Sequence, residues 1–151
     1  MFVKIYKVPA DGSCFYHAIS IGQKLNVSFL RQLVASELRK IISKPKHPLH
    51  HFAIFYINDI NLSYKSYIKH TLRSLWAGPL EAMILASALR IRIQIFTRQS
   101  LRSSGVKNIY SVHSSDAIVD VGDKLHSPLK LVIHGFNQHQ HLSGCHFDAL
   151  F

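Results

Sequence analysis

The segment that most constrains the fold is PLEAMILASALRIRIQIFT, residues 79–97. Its first part, residues 79–90, has apolar side chains on nearly every side of a helix, which predicts a helix that is buried all round. Pro79 suits the first turn of that helix, and Glu81 in the same turn stabilises the helix dipole. The helix leads directly into IRIQIFT, a run of strand length that is rich in β-branched residues. The segment therefore predicts a packed globule in which a buried helix is followed at once by a strand.

The composition agrees with one packed domain. The chain has 151 residues, of which 48% are apolar and 17% charged, so it can bury one sizeable core and is not a disordered tail. No apolar run is long enough to span a membrane, and the N-terminus lacks the apolar core of a secretory signal. Two cysteines do not make a disulfide scaffold. We therefore expect a cytoplasmic monomer, without membrane association, that forms a single domain over residues 1–151.

Helix patterns come before most strand patterns along the chain, which predicts an α+β fold. The helix patterns cover residues 14–25, 28–43, 61–76 and 79–90. The strand patterns cover residues 2–8, 91–97, 108–113, 129–136 and 144–151. The last strand is expected to lie beside residues 129–134. A polar loop with three acidic residues is interpreted as a solvated turn, or alternatively as a site for arginines of a bound peptide; these residues are Asp116, Asp120 and Asp123.

Cys14 lies in a position that favours nucleophilic chemistry. It is expected in the first turn of a helix, directly after the sequence Asp-Gly-Ser. A cysteine attacks as its thiolate, and a helix N-terminus lowers the pKa of a thiol. The backbone N–H groups of that turn can bind the oxyanion of an acyl-transfer intermediate, and Gly12 allows a close approach to the substrate.

The C-terminal strand supplies a base for this thiol. His146 and Asp148 are two residues apart, so both face the same side of a strand. Asp148 can then bind one ring nitrogen of His146 while the other nitrogen faces the thiol. This is the arrangement of nucleophile, base and orienting group that a cysteine hydrolase uses.

Other interpretations of these residues exist. Cys14 alone could be a small packed hydrophobic residue, or it could form a disulfide with Cys145, although alternation along the strand turns Cys145 away if His146 faces the thiol. The run HQHLSGCH contains potential zinc ligands, but its spacing matches no structural zinc pattern, and a solvated His-rich loop is preferred. These potential ligands are His139, His141, Cys145 and His146.

Three segments of the sequence match the motifs of one known enzyme family. DGSCFYHAI, residues 11–19, resembles the D-G-N-C-[LF]-[FY]-[RH]-[AS]-I signature of the ovarian tumour (OTU) family of cysteine deubiquitinases. WAGPLEAMILASALRIRIQIF, residues 76–96, is similar to its block of Trp-Gly, Glu and spaced apolar residues, and HFDAL, residues 146–150, to its terminal His-aromatic-Asp element. The segments follow in family order, and the first and last together look closest to viral members, including nairovirus proteases. Three ordered motifs are a specific signal, whereas one alone is weak.

The resemblance implies both a fold and a reaction. The fold is a small, mostly antiparallel central sheet flanked by helices. The implied catalytic residues are Cys14 as nucleophile, His146 as general base and Asp148 as the group that orients His146. The implied reaction is hydrolysis, through a thioester, of the bond after the C-terminal glycine of ubiquitin or a ubiquitin-like modifier, with no metal or other cofactor. The short flanks outside the motifs favour a fragment of a larger protein or polyprotein, and cleavage of a viral polyprotein is a second expected activity.

Further residues carry over from the same motifs. The expected oxyanion loop consists of Asp11, Gly12 and Ser13, with the Cys14 amide as a donor. The residues expected at the substrate site are Trp76, Gly78 and His17, and for the only tryptophan a packing anchor is the alternative. Two departures from the family pattern are the serine at position 13, where asparagine is usual, and the extra Ala77 between Trp76 and Gly78.

The charge of the chain supports a rival function. Eighteen Lys and Arg residues face eight Asp and Glu residues, which gives a formal net charge of +10. Such a balance favours a polyanionic partner such as nucleic acid. The basic residues are spread from Lys4 to Lys130 without a run of four, however, so a basic solvated surface is the preferred interpretation. The rival to a ubiquitin-directed protease is therefore an RNA- or protein-binding module on a catalytically inactive OTU scaffold.

Overall fold

The computed structural model describes residues 1–135 and 146–151. In this part of the chain the helices precede most of the strands, as expected. They are α1 (Cys14–Gln23), α2 (Val27–Ser43), α3 (His50–Asp59), α4 (Tyr64–Thr71) and α5 (Pro79–Leu89). The start of α2 is one residue earlier than predicted because the side chain of Asn26, and not that of Ser28, caps the helix by accepting from the Phe29 N–H at 2.7 Å.

Two helix predictions are corrected. The helix predicted over residues 61–76 is shorter, since Ser63 caps its start and the chain leaves the helix after Thr71. Helix α3 was not predicted at all. Only two of its residues, Ala53 and Ile57, are buried. A buried face this small leaves little of the apolar periodicity in the sequence that identifies an amphipathic helix.

The strands form one sheet in the order β3-β4-β1-β7-β6-β2-β5, and only the β2–β6 pairing is parallel among the described strands. The strands are β1 (Phe2–Tyr6), β2 (Arg92–Thr97), β3 (Arg102–Ser103), β4 (Ile109–Ser111), β5 (Val119–Val121), β6 (Pro128–His134) and β7 (His146–Leu150). The expected α+β class with a mostly antiparallel sheet is thus confirmed. Strands β3 and β5 were not predicted, because two and three residues carry too little pattern.

The main core lies between this sheet and the helices that pack on it. Helices α1 and α5 pack on one face, and α2 packs against these two helices. Helix α5 buries side chains all round, as its composition predicts. A second, smaller cluster is separate from this core; its buried members are Val3, Phe96, Leu101, Val112, Val132 and Leu150.

Strand β7 brings the two ends of the chain together. It lies between β1 and β6 and is antiparallel to both, with Ile5 opposite Leu150 and His134 opposite His146. Because α1 begins shortly after β1 ends, this pairing places Cys14 beside the first residues of β7. The expected pairing of the last strand with residues 129–134 is confirmed.

Candidate active site

Cys14 lies at the first position of α1 and against β7. Its side chain is only 2% exposed, and its Sγ accepts a hydrogen bond from the backbone N–H of Phe147 at 3.4 Å. The neighbouring Phe15 ring packs edge-to-face on the Phe147 ring, with centroids 5.3 Å apart. The helix start is thereby fixed to the strand that carries the candidate base.

The ionisation of this thiol differs from the sequence expectation. Burial raises the pKa of Cys14, and the hydrogen bonds from the backbone of Phe147 and Phe15 offset this only in part. The carboxylates of Asp11 and Asp148 raise the pKa further. The helix start therefore does not by itself acidify the thiol, because the cost of removing the thiolate from water is the largest effect.

His146 and Asp148 face the same side of β7, as period-two alternation predicts. Asp148 Oδ1 accepts from His146 Nε2 at 2.9 Å and from the Val8 backbone N–H at 2.8 Å. The other ring nitrogen, Nδ1, is buried and has no hydrogen-bond partner within residues 1–135 and 146–151. The ring is therefore oriented through Nε2, and Nδ1 is left as a proton acceptor.

A second histidine contacts the same carboxylate. His134, at the end of β6, lies 2.9 Å from Asp148 Oδ2 through its Nε2 atom. Its ring stacks on that of His146, with centroids 5.6 Å apart and an interplanar angle of 23°. Sequence analysis did not single out His134, since nothing in the pattern shows that β6 places it opposite His146.

The loop before Cys14 is closed by its own hydrogen bonds. The Ser13 N–H donates to Asp11 Oδ1 at 2.8 Å, and the Cys14 N–H donates to the Asp11 carbonyl at 3.2 Å. The Cys14 amide, expected to be an open oxyanion donor, is thus occupied in this structure. Ser13 is the N-cap residue of α1, but its side chain makes no capping bond.

The loop is also bound from behind by a buried arginine. Arg31 of α2 is 3% exposed, and its guanidinium donates to the Gly12 carbonyl at 3.1 Å and to Ser13 Oγ at 2.9 Å. The same group donates to the carbonyls of Thr71 and Leu75, at 2.9 and 3.1 Å. Arg31 was missed because an arginine within an amphipathic helix normally indicates a solvated position.

A family model described as OTU-like cysteine protease matches residues 9–143 of this sequence. The chain belongs to this family. The resemblance found in the sequence is thereby confirmed, and with it the assignment to a family of cysteine peptidases.

Solved structures of OTU domains match this OTU-like chain over nearly its full length. An OTU domain in complex with ubiquitin has a TM-score of 0.62 and 23% identity, and the match covers 98% of this chain and 69% of that one. The Hazara virus OTU bound to ubiquitin has a TM-score of 0.56 and 26% identity, with 99% and 81% covered. An OTU deubiquitinase from Wolbachia pipientis has a TM-score of 0.62 and 18% identity, with 99% and 88% covered. None of the curated proteins matches the sequence. Because the matches include both viral and bacterial members, they do not assign a source.

In this OTU-like chain Gly78 and Glu81 have structural surroundings. Gly78 is buried before α5, and its N–H donates to Glu81 Oε2 at 2.9 Å, so Glu81 caps its own helix. Tyr67 donates to the other carboxylate oxygen of Glu81. Complete burial raises the pKa of Glu81, while the hydrogen bonds from Tyr67 and Gly78 favour its ionised form. The preferred interpretation of Glu81 as a residue that stabilises its helix is thus borne out.

Two other expected substrate-site residues lie beside the loop. Trp76 is 39% exposed, and its indole lies so close to Gly12 that a Cβ on that glycine would be 3.2 Å from Nε1. His17 Nε2 lies 3.5 Å from Asp11 Oδ2. Trp76 and His17 therefore border the loop that precedes Cys14, whereas Gly78 is covered.

The acidic residues expected in a solvated turn are partly used within the fold. Asp120 lies on β5, where Arg92 binds it through Nε and Nη2 at 2.9 and 2.7 Å. Gln94 donates to the same carboxylate at 3.1 Å. Asp120 is thus already paired, which removes it from the set of groups open to a peptide's arginines.

Some expectations fall on residues that the structure leaves undescribed. The proposed disulfide partner Cys145 and the potential zinc ligands His139 and His141 lie outside the described residues. Within the described ones, no group of three metal-binding side chains is close enough to bind an ion. In the same part of the chain, no helix has the length and apolar character needed to cross a membrane.

Proposed function

We propose that this OTU-like protease hydrolyses the isopeptide bond after the C-terminal glycine of ubiquitin or a ubiquitin-like modifier. The observation that carries the proposal is the side-by-side placement of Cys14 and the His146–Asp148 pair, which joins two ends of the chain. The two ubiquitin-bound OTU structures among the matches support ubiquitin as the substrate class.

In the proposed reaction the Cys14 thiol gives its proton to Nδ1 of His146. The thiolate then attacks the glycine carbonyl and forms a tetrahedral oxyanion. The C–N bond breaks, the leaving lysine amine takes the proton from His146, and a thioester remains on Cys14. Water, deprotonated by His146, attacks the thioester and releases the glycine carboxylate and the free thiol. Asp148 holds the tautomer and stabilises the transient imidazolium.

Two features imply that substrate binding changes the ionisation of Cys14 and the hydrogen bonds of the loop before it. The buried thiol has a raised pKa, so the thiolate forms together with the His146 imidazolium and not ahead of it. The N–H groups of Ser13 and Cys14 donate to Asp11, so they must exchange this partner to stabilise an oxyanion. We expect the substrate carbonyl to compete for these two donors.

The location of the activity and its protein substrates are also part of the proposal. From the resemblance to viral members, we propose action on host conjugates in the cytoplasm and a second activity on the viral polyprotein. Both follow from the same hydrolytic site, because the chemistry after the glycine carbonyl is identical for an isopeptide and a peptide bond.

The test is labelling with ubiquitin whose C-terminus carries a cysteine-trapping electrophile. Intact mass is measured for the wild type, Cys14→Ala and Cys145→Ala, the last being the matched control. We expect an adduct with the wild type and Cys145→Ala and none with Cys14→Ala. No adduct with ubiquitin or with ubiquitin-like modifiers would refute the proposed substrate. Nucleic-acid binding with a steep salt dependence, unchanged by Cys14→Ala, would then favour the binding-module alternative.

A further inference from the structure

We propose that His134 is a positioning residue for the candidate base, which acts by sharing the Asp148 carboxylate with His146. The inference rests on the proposed function and adds one positioning residue to the three side chains of the candidate catalytic group. It also predicts that the charge on His134 controls the reactivity of Cys14.

The hydrogen bonds at Asp148 determine the tautomers of both rings. An ionised carboxylate only accepts hydrogen bonds, so each of the two histidines must donate from Nε2. His146 then carries its lone pair on Nδ1, which is the atom that must take the thiol proton. The Val8 N–H donates to Oδ1 at 2.8 Å and His134 to Oδ2 at 2.9 Å, so both carboxylate oxygens are held and the group is restrained from turning.

Two basic side chains line the same cavity as His134. This histidine lines a cavity of about 450 Å³ together with Lys7 and Arg98, whose side chains make no ion pair among the described residues. The other described groups around this cavity are Ile5, Asn108, Tyr110 and Asp148, so Asp148 is the only acid among the residues that the structure describes there. The guanidinium of Arg98 lies over the Tyr110 ring at 4.6 Å and donates to its hydroxyl.

A charge on His134 would act directly on the candidate base. The stacked rings are 5.6 Å apart, so an imidazolium at His134 repels an imidazolium at His146 and also neutralises the carboxylate that His146⁺ needs. Neutral His134 supports proton transfer from Cys14, whereas protonated His134 suppresses it.

The test compares two substitutions of His134, of which one keeps a hydrogen-bond donor and the other does not. His134→Gln keeps an N–H donor near the position of Nε2 but cannot be charged between pH 5 and 8. His134→Ala removes both donor and charge. The control is His113→Gln, at an exposed histidine. The rate of Cys14 alkylation by iodoacetamide is measured from pH 5 to 9, with the Cys14 peptide resolved by mass, beside turnover of a fluorogenic ubiquitin substrate.

We expect His134→Gln to keep the neutral-pH rates within about threefold of the wild type and to move the acid limb of both profiles to lower pH. We expect His134→Ala to lower turnover about 10- to 100-fold at every pH, since the carboxylate loses a support. Equal profiles for His134→Gln and the wild type would overturn the role of the charge. Equal effects of the two substitutions would overturn the role of the hydrogen bond.

The alkylation arm keeps this inference separate from the choice of substrate. Iodoacetamide reports the ionisation of Cys14 whether or not the protein accepts ubiquitin. If ubiquitin substrates are not cleaved but His134→Gln still shifts the alkylation profile, the proposed function fails and the role of His134 stands. If ubiquitin is cleaved and neither profile responds to the substitutions, the proposed function stands and the role of His134 fails.

Discussion

Replacement of Arg31 by methionine should destabilise the fold far more than the same replacement of an exposed arginine further along α2. Methionine has a similar length and no charge, so Arg31→Met removes the guanidinium while filling much of its volume. The matched control is Arg39→Met, which changes an exposed arginine of α2.

The magnitude follows from what the guanidinium binds. It donates four hydrogen bonds, to the Gly12, Thr71 and Leu75 carbonyls and to Ser13 Oγ, and it stacks 4.5 Å from the centroid of the Tyr16 ring. Its charge also interacts with buried Glu81. Removal of one partner from a buried charged network costs about 3–5 kcal/mol, because the remaining groups stay buried without compensation. A domain with about 5–15 kcal/mol of total stability would lose a large part of it.

Urea denaturation followed by circular dichroism measures this difference. We expect Arg31→Met to lower the free energy of unfolding by about 3–5 kcal/mol and Arg39→Met to change it by less than about 0.5 kcal/mol. Arg31→Lys keeps the charge without the planar fork, so its value should fall between the two. If Arg31→Met lies within about 1 kcal/mol of Arg39→Met, the guanidinium does not hold the loop and α4 together as described.

Two further outcomes follow from other parts of the structure. Gly122→Ala should lower the free energy of unfolding by at least about 3 kcal/mol, because φ is +98° and the new Cβ would be 2.1 Å from the Ile91 carbonyl oxygen. The control is Gly105→Ala, where φ is +85° and the space around the Cβ is open. It should cost about 1 kcal/mol in the same denaturation assay. The hydrogen bonds from Arg92 lower the pKa of Asp120 to about 2 from 3.8, so this contribution to stability is present above pH 4 and is lost as the pH falls towards 2. Asp120→Asn should therefore flatten the decline of the thermal midpoint over that pH range, and an unchanged decline would show that the pair does not contribute.

The parts of the fold that could be predicted are those with a strong local pattern. The segment from Pro79 to Thr97 gave both α5 and β2 nearly to the residue, because an all-apolar helix and a β-branched run leave few other choices. Helix α3 has no such pattern, since a large apolar residue, Phe55, is exposed to solvent and not buried in the core. Its place is determined by contacts with α2 and α5, which are not local in sequence.

The candidate site divides in the same way. Cys14, His146 and Asp148 could be proposed because their spacing within a helix start and a strand is informative and because both segments resemble OTU family motifs. His134 and Arg31 could not, because each acts across a pairing of elements: β6 with β7 for His134, and α2 with the loop before α1 for Arg31. No periodicity within one element contains that information.

The contacts of the loop before Cys14 also restrict how it can rearrange. At one end the Val8 N–H is bound to the same Asp148 oxygen that orients His146, and at the other end Arg31 binds Gly12 and Ser13. The residues between these anchors are exposed, and the Asp11 carboxylate that occupies the Ser13 N–H belongs to them. A substrate carbonyl can therefore displace Asp11 from the Ser13 and Cys14 N–H groups by a movement confined to residues 9–11. The hydrogen bonds from Val8 to Asp148 and from Arg31 to Ser13 Oγ then stay intact. Opening of the oxyanion donors and orientation of the base thus depend on opposite ends of one short segment. Asp11→Ala removes the carboxylate that occupies the Ser13 N–H and that raises the pKa of Cys14, so it should alter the capture of substrate and move the alkylation profile of Cys14 to lower pH. An alkylation profile equal to that of the wild type would show that the Asp11 carboxylate does not act on the thiol.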